Sequence, residues 1–394
     1  MEQNFAIGAQ WVFLALVATM LSIRLGISVA LMEIAVGVIG GNAIHIEITP
    51  WVNFLAGFGA VVLTFLAGAE INPDSLKENL KESLAIGFLS FLLPFLGGMA
   101  FAYYGFGWSV NASKIAGIAL STTSVAVVYA VMVETGLASS RLGQAILAAC
   151  FVTDLGTVLA LGILFTGFSM KVVWFTAVLI VTIFIITPIT SKMFQWYGGR
   201  VSEPEIKFIF LVLLALAYLA VISGSEAVLP AYIIGMTMAR FFIRYRETLH
   251  KMRAIVFAVF TPFYFIKAGA LVSISALYTM SGAIIIFLVV KVAAKFIGVL
   301  PVTKFFRYDR RTGIYTTLLM STGLTFGSIS ALYGLSNNHI DSSQYSVLIA
   351  AVILSAVIPT VIAQKWFFPL QMEENELVTS TGSINVERGA EHGS

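Results

Sequence analysis

The sequence predicts an all-α polytopic membrane protein with about 13 transmembrane helices, arranged as inverted repeats. Three observations predict it. Of 394 residues, 59% are hydrophobic and 11% charged, against about 25% charged in soluble domains, and apolar runs of about 18 or more recur along the chain. Basic residues alternate from loop to loop. Short motifs return at one spacing close to half the chain.

The predicted spans are 8–25, 27–41, 53–71, 84–105, 114–133, 142–166, 171–190, 205–223, 226–243, 252–278, 281–302, 311–334 and 344–369. Alternate loops on one side hold Arg24; Lys77 and Lys81; Arg141; Lys192, Arg200 and Lys207; Arg240, Arg244, Arg246, Lys251 and Arg253; and Lys304, Arg307, Arg310 and Arg311. Those 16 face only Lys114 and Lys171 on the other side. This asymmetry puts the rich side in the cytoplasm, the N-terminus outside and the C-terminus inside. Met1 to Gln10 lack Lys and Arg, so no cleavable leader with a basic start is visible and the first helix is expected to stay. Residues 1–370 then form one membrane domain and 371–394 a short polar tail.

The repeat is legible in three matches. LMEIAVGVIGGN at 31–42 aligns with LPAYIIGMTMAR at 229–240, Gly37 on Gly235. VLTFLAGAEINPDSL at 62–76 aligns with PFYFIKAGALVSISAL at 262–277, Gly68 on Gly269. ALSTTSVAVV at 119–128 aligns with LMSTGLTFGS at 319–328, Ser121-Thr122 on Ser321-Thr322. The offsets are 198, 201 and 200 residues, each joining helix n to helix n+7. An odd offset inverts the second copy in the membrane, a construction common among secondary transporters. Repeat one runs from about 27 to 166 and repeat two from about 226 to 369, with helix 171–190 as linker.

Asp154 is the residue the chain is built around. It lies near the middle of the apolar run Arg141 to Phe165, preceded by Thr153. A carboxylate at that depth costs roughly 2.5–3.5 kcal/mol even on insertion scales and needs a partner, a proton or a cation. Serving one helix–helix tie is the structural alternative. The mid-span STT and STG triplets at 121–123 and 321–323 carry small hydroxyl residues and glycine, which tolerate a break. Unwound backbone there offers carbonyls to a cation; in an unbroken helix the hydroxyls would bond back to a preceding carbonyl. Lys291 and Lys295 share one helix face at i and i+4, and either could pair with Asp154, with snorkelling to the interface as the alternative. Lys267 reads as structural, neutralising a helix C-terminus beside a local break. Glu33 and Glu70 are the other intramembrane acids, and Glu134 lies near a helix end.

Several classes are excluded. Cys150 is the single cysteine, so there is no disulfide framework or thiolate metal site. His45, His250, His339 and His392 fall in predicted loops or the tail, so neither a histidine relay nor a zinc motif crosses the membrane. A lone Asp offers no paired-carboxylate protease and no nucleophile–base set; no enzyme is expected. A net charge of +3 gives no reason to expect nucleic acid, and no cofactor motif is visible.

These motifs, in order, resemble the monovalent cation:proton antiporters of the second family, the bacterial Na⁺/H⁺ antiporters and Kef-type K⁺ efflux systems. The resemblance covers nearly all of residues 10–369. ALMEIAVGVIGG is similar to the Gly-rich second helix and LTFLAGAEINPDSL to a Phe-Leu-x-Gly-x-Glu element. LSTTSVAVVYAVMVETGL resembles the first crossing helix, FVTDLGT the ion-binding helix, and TPFYFIKAGALVS a Pro-Phe-Phe-Phe-x-x-x-Gly element. KVAAKFIGV resembles the lysine-bearing helix and LLMSTGLTF the second crossing helix. The resemblance implies that Asp154 holds the cation or proton, with Thr153 before it and Thr122, Thr123, Thr322 and Gly323 at the crossing. Lys295 or, in another register, Lys291 is its charge partner. It also implies Na⁺ or K⁺ and H⁺ as substrates, a homodimer and a prokaryotic inner membrane. No second Asp precedes Asp154, which favours electroneutral exchange, and the ligand-gated domain of Kef-type relatives is missing. A sodium-coupled symporter of an organic anion is the rival; a channel would conduct continuously at fixed voltage.

Overall fold

The computed structural model describes residues 2–71, 77, 79–166, 170–198, 200, 202–225 and 227–369; the tail 371–394 lies outside them. The described residues are helical throughout their ordered elements. We number the spans α1 (Glu2–Leu25), α2 (Val29–Ile39, continued by a π-turn to Ile44), α3 (Pro50–Ala69) and α4 (Leu80–Ala100, continued to Gly105). Next come α5a (Val110–Ser121), α5b (Val125–Glu134), α6 (Arg141–Leu161, continued to Thr166), α7 (Met170–Tyr197) and α8 (Pro204–Ile222). The rest are α9 (Val228–Arg244), α10 (Arg246–Ala270, with a π-turn at Val256–Phe260), α11 (Ser281–Phe305), α12a (Arg310–Met320), α12b (Thr325–Ser336) and α13 (Ser342–Trp366). Eleven helices among the described residues, counting α5 and α12 as one each, are long and apolar enough to cross a bilayer. The other two predicted spans, α2 with its π-turn and α9, are shorter, and they are the two that the first motif pair aligns.

One boundary differs from expectation. The tenth span begins at Arg246 rather than 252 and ends at Ala270, with a separate short helix at Ile274–Thr279. Its first turns, Arg-Glu-Thr-Leu-His-Lys, are too polar for a hydropathy window but form good helix beyond the bilayer.

Helix ends carry their own signals. Ser109 accepts from Ala112 N at 3.2 Å, Ser140 from Gly143 N at 3.0 Å and Asp309 from Thr312 N at 2.9 Å, while Asp341 and Gln344 close a capping box. These bonds satisfy orphan backbone donors at the starts of α5a, α6, α12a and α13.

The repeat is built into the packing. A side chain at Gly37 would strike the Ile266 carbonyl, and one at Gly235 the Phe65 carbonyl. Likewise Gly269 lies against the Ile34 carbonyl and Gly68 against the Tyr232 carbonyl. Apply the sequence offsets of 198 and 201 and each contact becomes its partner: 37 with 266 maps onto 235 with 65, and 34 with 269 onto 232 with 68. Thus α2 packs on α10 as α9 packs on α3, backbone to backbone, which only glycine permits at this distance.

Two bundles result. α1, α2, α3, α7, α8, α9 and α10 pack among themselves, as do α4, α5, α6, α11, α12 and α13. α7 turns Trp174, Phe184, Ile185 and Trp196 outward, a surface suited to lipid. The seam between the bundles is crossed by few helix contacts, so the polar ties across it stand out.

Candidate cation site

The second bundle is organised by two interruptions. α5 loses helical geometry at Thr122–Ser124 and α12 at Ser321–Leu324, and the two breaks touch. Ser124 N donates to Thr322 O at 3.2 Å, and Thr123 Oγ1 donates to Met320 O at 2.8 Å. Thr122 Oγ1 bonds back to Ala119 O at 3.1 Å, and its repeat counterpart Thr322 Oγ1 to Leu319 O at 2.9 Å. The hydroxyls thereby close the C-terminal carbonyls of the two half-helices that end here. All three threonines are buried.

Asp154 lies mid-way along α6, 4% exposed. Its Oδ1 is buried and has no hydrogen-bond partner among the described residues. Lone-pair oxygen at this depth is costly unless a cation or proton meets it. Thr153 is buried against α4, its hydroxyl within reach of Ala149 O at 3.0 Å and Gly87 O at 3.3 Å. It thus donates to backbone, while its oxygen keeps the lone pairs that a cation would use.

The two lysines divide the work that sequence left open. Lys295 is fully buried and donates to Ser90 Oγ at 2.7 Å, Thr123 Oγ1 at 2.9 Å and Ser121 O at 3.0 Å. It therefore sits on the C-terminal carbonyl of α5a, where a half-helix carries partial negative charge. Lys291 is also fully buried, with no hydrogen-bond partner for Nζ. A side chain at Gly323 would strike that Nζ and come within 3.0 Å of Thr122 Oγ1, so the glycine makes room for an ammonium at the crossing. Neither lysine forms an ion pair with Asp154. The Lys295 donors stay instead with α4 and α5. The physical reason is that the broken helix offers Lys295 two oxygens at its tip and α4 a third.

Sequence reasoning missed several residues around the site. Ser90 lies mid-way along the apolar α4. Tyr264 OH, from α10 in the other bundle, hydrogen-bonds Thr325 Oγ1, which lies 3.5 Å from Ser124 Oγ. Tyr232 OH of α9 donates to Leu147 O at 3.1 Å and its ring stacks on Phe151, one turn before Asp154. These tyrosines bridge the seam at the level of the crossing.

Cavities open in the seam on both sides of it. At the end carrying the basic loops, a 380 Å³ cavity is lined by Glu70, Gln144, Arg246, His250 and Arg253. There Glu70 pairs with Arg253 and accepts from Tyr129 OH at 2.9 Å, and its carbonyl accepts from Gln144 Nε2 at 2.7 Å. At the opposite end a 320 Å³ cavity reaches Leu324 and Thr325 of the second break. Asp154 thus lies buried in the bundle that holds both helix breaks, and a cavity opens in the seam toward each end.

The family model described as sodium/hydrogen exchanger, transmembrane, matches residues 12–368. The chain belongs to the sodium/hydrogen exchanger family. It is 26% identical over 358 residues to the probable Na⁺/H⁺ antiporter 3 of Methanocaldococcus jannaschii, spanning 86% of this chain and 89% of that one. It is 26% identical over 372 residues to the Na⁺/H⁺ antiporter of Enterococcus hirae, spanning 89% and 95%. The Na⁺/H⁺-K⁺ antiporter GerN of Bacillus cereus is 23% identical, spanning 86% and 89%. Among solved structures, the sodium proton antiporter MjNhaP1 of Methanocaldococcus jannaschii at pH 8 superposes with a TM-score of 0.68 at 16% identity, over 94% of this chain and all of that one, a likeness in fold.

Proposed function

We propose that this exchanger-family chain swaps Na⁺ or K⁺ for H⁺, electroneutrally and by alternating access, with Asp154 holding one ion at a time. The observation that carries the reading is the buried, unpartnered Asp154 Oδ1 beside two unwound helices. A carboxylate there binds a proton covalently or a dehydrated cation through oxygen, and one occupant excludes the other. Threonine at 153 leaves no second carboxylate next to it, so one charge in for one charge out follows. The bundle of α4, α5, α6, α11, α12 and α13 is the moving part, carrying Asp154 past the seam tyrosines. The other bundle is the scaffold, and it dimerises, with lipid around it. Residues 27–166 and 226–369 are the repeats, with 171–190 between them. The basic loops face the cytoplasm of a prokaryotic cell, the N-terminus outside. None of the relatives named above is called a symporter, and no organic-anion subsite is needed to explain the residues at the crossing.

Purified protein in liposomes with an internal pH dye tests this. An inward gradient of Na⁺ or K⁺ is expected to make the lumen more alkaline, at a rate unchanged within about twofold when membrane potential is clamped at different values. Uptake of an organic anion driven by sodium, without proton movement, would establish the symporter instead.

A further inference from the structure

The 320 Å³ cavity opposite the basic loops is walled mostly by small and aliphatic side chains, and among its described lining residues Lys267 alone is charged. The Lys267 side chain forms no hydrogen bond or ion pair with any described residue. It stands three residues beyond Tyr264 on α10, so the two side chains share a helix face. Tyr264 reaches the crossing through Thr325, and Lys267 is one turn farther out, in the same cavity that reaches Leu324 and Thr325 of the second break. Placing a lone ammonium in the approach to a cation site has a definite electrostatic consequence. Low-dielectric walls focus its field along the cavity, and every monovalent cation entering is depleted by the same factor.

We propose that Lys267 is an electrostatic filter of this vestibule, lowering the affinity for Na⁺ or K⁺ and for H⁺ alike at the face opposite the basic loops and so favouring ion release there. The inference rests on the antiport reading above. Because cation and proton both carry one positive charge, Lys267 leaves the choice between them unchanged and sets only how readily either is bound from that side. Under the assigned topology this is the outer face, where it opposes rebinding of a cation just expelled. The same residue has no such effect at the basic-loop face, whose cavity is lined by Glu70 and Arg253 instead.

The test is a charge series, Lys267→Arg, Lys267→Gln and Lys267→Glu, assayed in right-side-out and everted membrane vesicles with Na⁺, K⁺ and H⁺ varied on one face at a time. At the face opposite the basic loops, half-saturation for cation and proton should fall together by about three- to tenfold in Lys267→Gln, the effect of neutralising one charge in a partly hydrated cavity. It should fall further in Lys267→Glu and stay near the parent value in Lys267→Arg. Half-saturation at the basic-loop face and the Na⁺/K⁺ preference should not move. Exchange that persists while Gln and Glu variants keep the parent half-saturation overturns the filter and leaves antiport standing. So does a change confined to one ion or equal at both faces, the signature of altered geometry. A parent protein that exchanges no cation for protons overturns both readings.

Discussion

Asp154→Asn is expected to abolish cation/proton exchange, by at least about 100-fold, while leaving the protein as stable as the parent. The amide matches the carboxylate in size but can neither lose a proton in the working range nor balance a cation. The parent Oδ1 has no hydrogen-bond partner to lose, so no described contact is broken. Removing an unpaired charge from a dry interior carries no stability cost of its own, because burying that charge was itself unfavourable. The check is a paired measurement, thermal unfolding in detergent and dye-reported exchange in liposomes. Cation-driven proton flux within about twofold of the parent would remove Asp154 from the carrier role.

Lys295→Met is expected to abolish exchange too, but through the fold. Its Nζ donates at 2.7, 2.9 and 3.0 Å to Ser90, Thr123 and the Ser121 carbonyl, and it is the donor that holds the broken end of α5a against α4. Methionine fills the volume and leaves those acceptors in a dry interior. Leaving a buried acceptor without its donor costs about 1–3 kcal/mol for each group left unsatisfied. Lys295→Gln, which can still donate, should recover part of that stability without recovering exchange. The two substitutions at 154 and 295 are thus separated by melting temperature, unchanged in one and clearly lowered in the other. A Lys295→Met protein as stable as the parent would show that the crossing does not depend on the lysine.

Much of this was readable in the chain, for reasons that differ from residue to residue. Asp154 is visible because one charge interrupts an otherwise apolar span, and the bilayer makes such an interruption expensive. The repeat is visible because glycines are demanded wherever backbones touch: Gly37, Gly68, Gly235 and Gly269 keep their spacing because each meets a carbonyl. The helix breaks are suggested by Ser121-Thr122 and Ser321-Thr322 only as a pair; either alone reads as a back-bonded hydroxyl.

Other features have no local signal. Nothing near Lys291 or Lys295 says that one would cap α5a and the other fill the space over Gly323, because both face one way on the same helix. Tyr264 and Tyr232 look like further aromatics in aromatic-rich stretches, and their hydroxyls matter only once α9 and α10 lie across the seam. Thr153 reads as a ligand through the family resemblance, and nothing in the sequence shows the backbone carbonyls, Ala149 O and Gly87 O, that its hydroxyl reaches. Lys267 read as a helix-end counter-charge, which is compatible with its place near the end of α10 but misses the cavity that it lines.

The central claim is that cation and proton compete for one carboxylate. The most direct measurement is half-saturation for the transported cation as a function of pH, taken with equal pH on both sides of the liposome. With one shared site, half-saturation should rise by about tenfold for each unit of pH below the range where the carboxylate is ionised, and level off above it. The maximal rate reached at saturating cation is not expected to be recovered at high pH, where protons to exchange become scarce. A half-saturation that stays flat across the acid limb would mean that proton and cation occupy separate groups, and Asp154 could not be the exchange site.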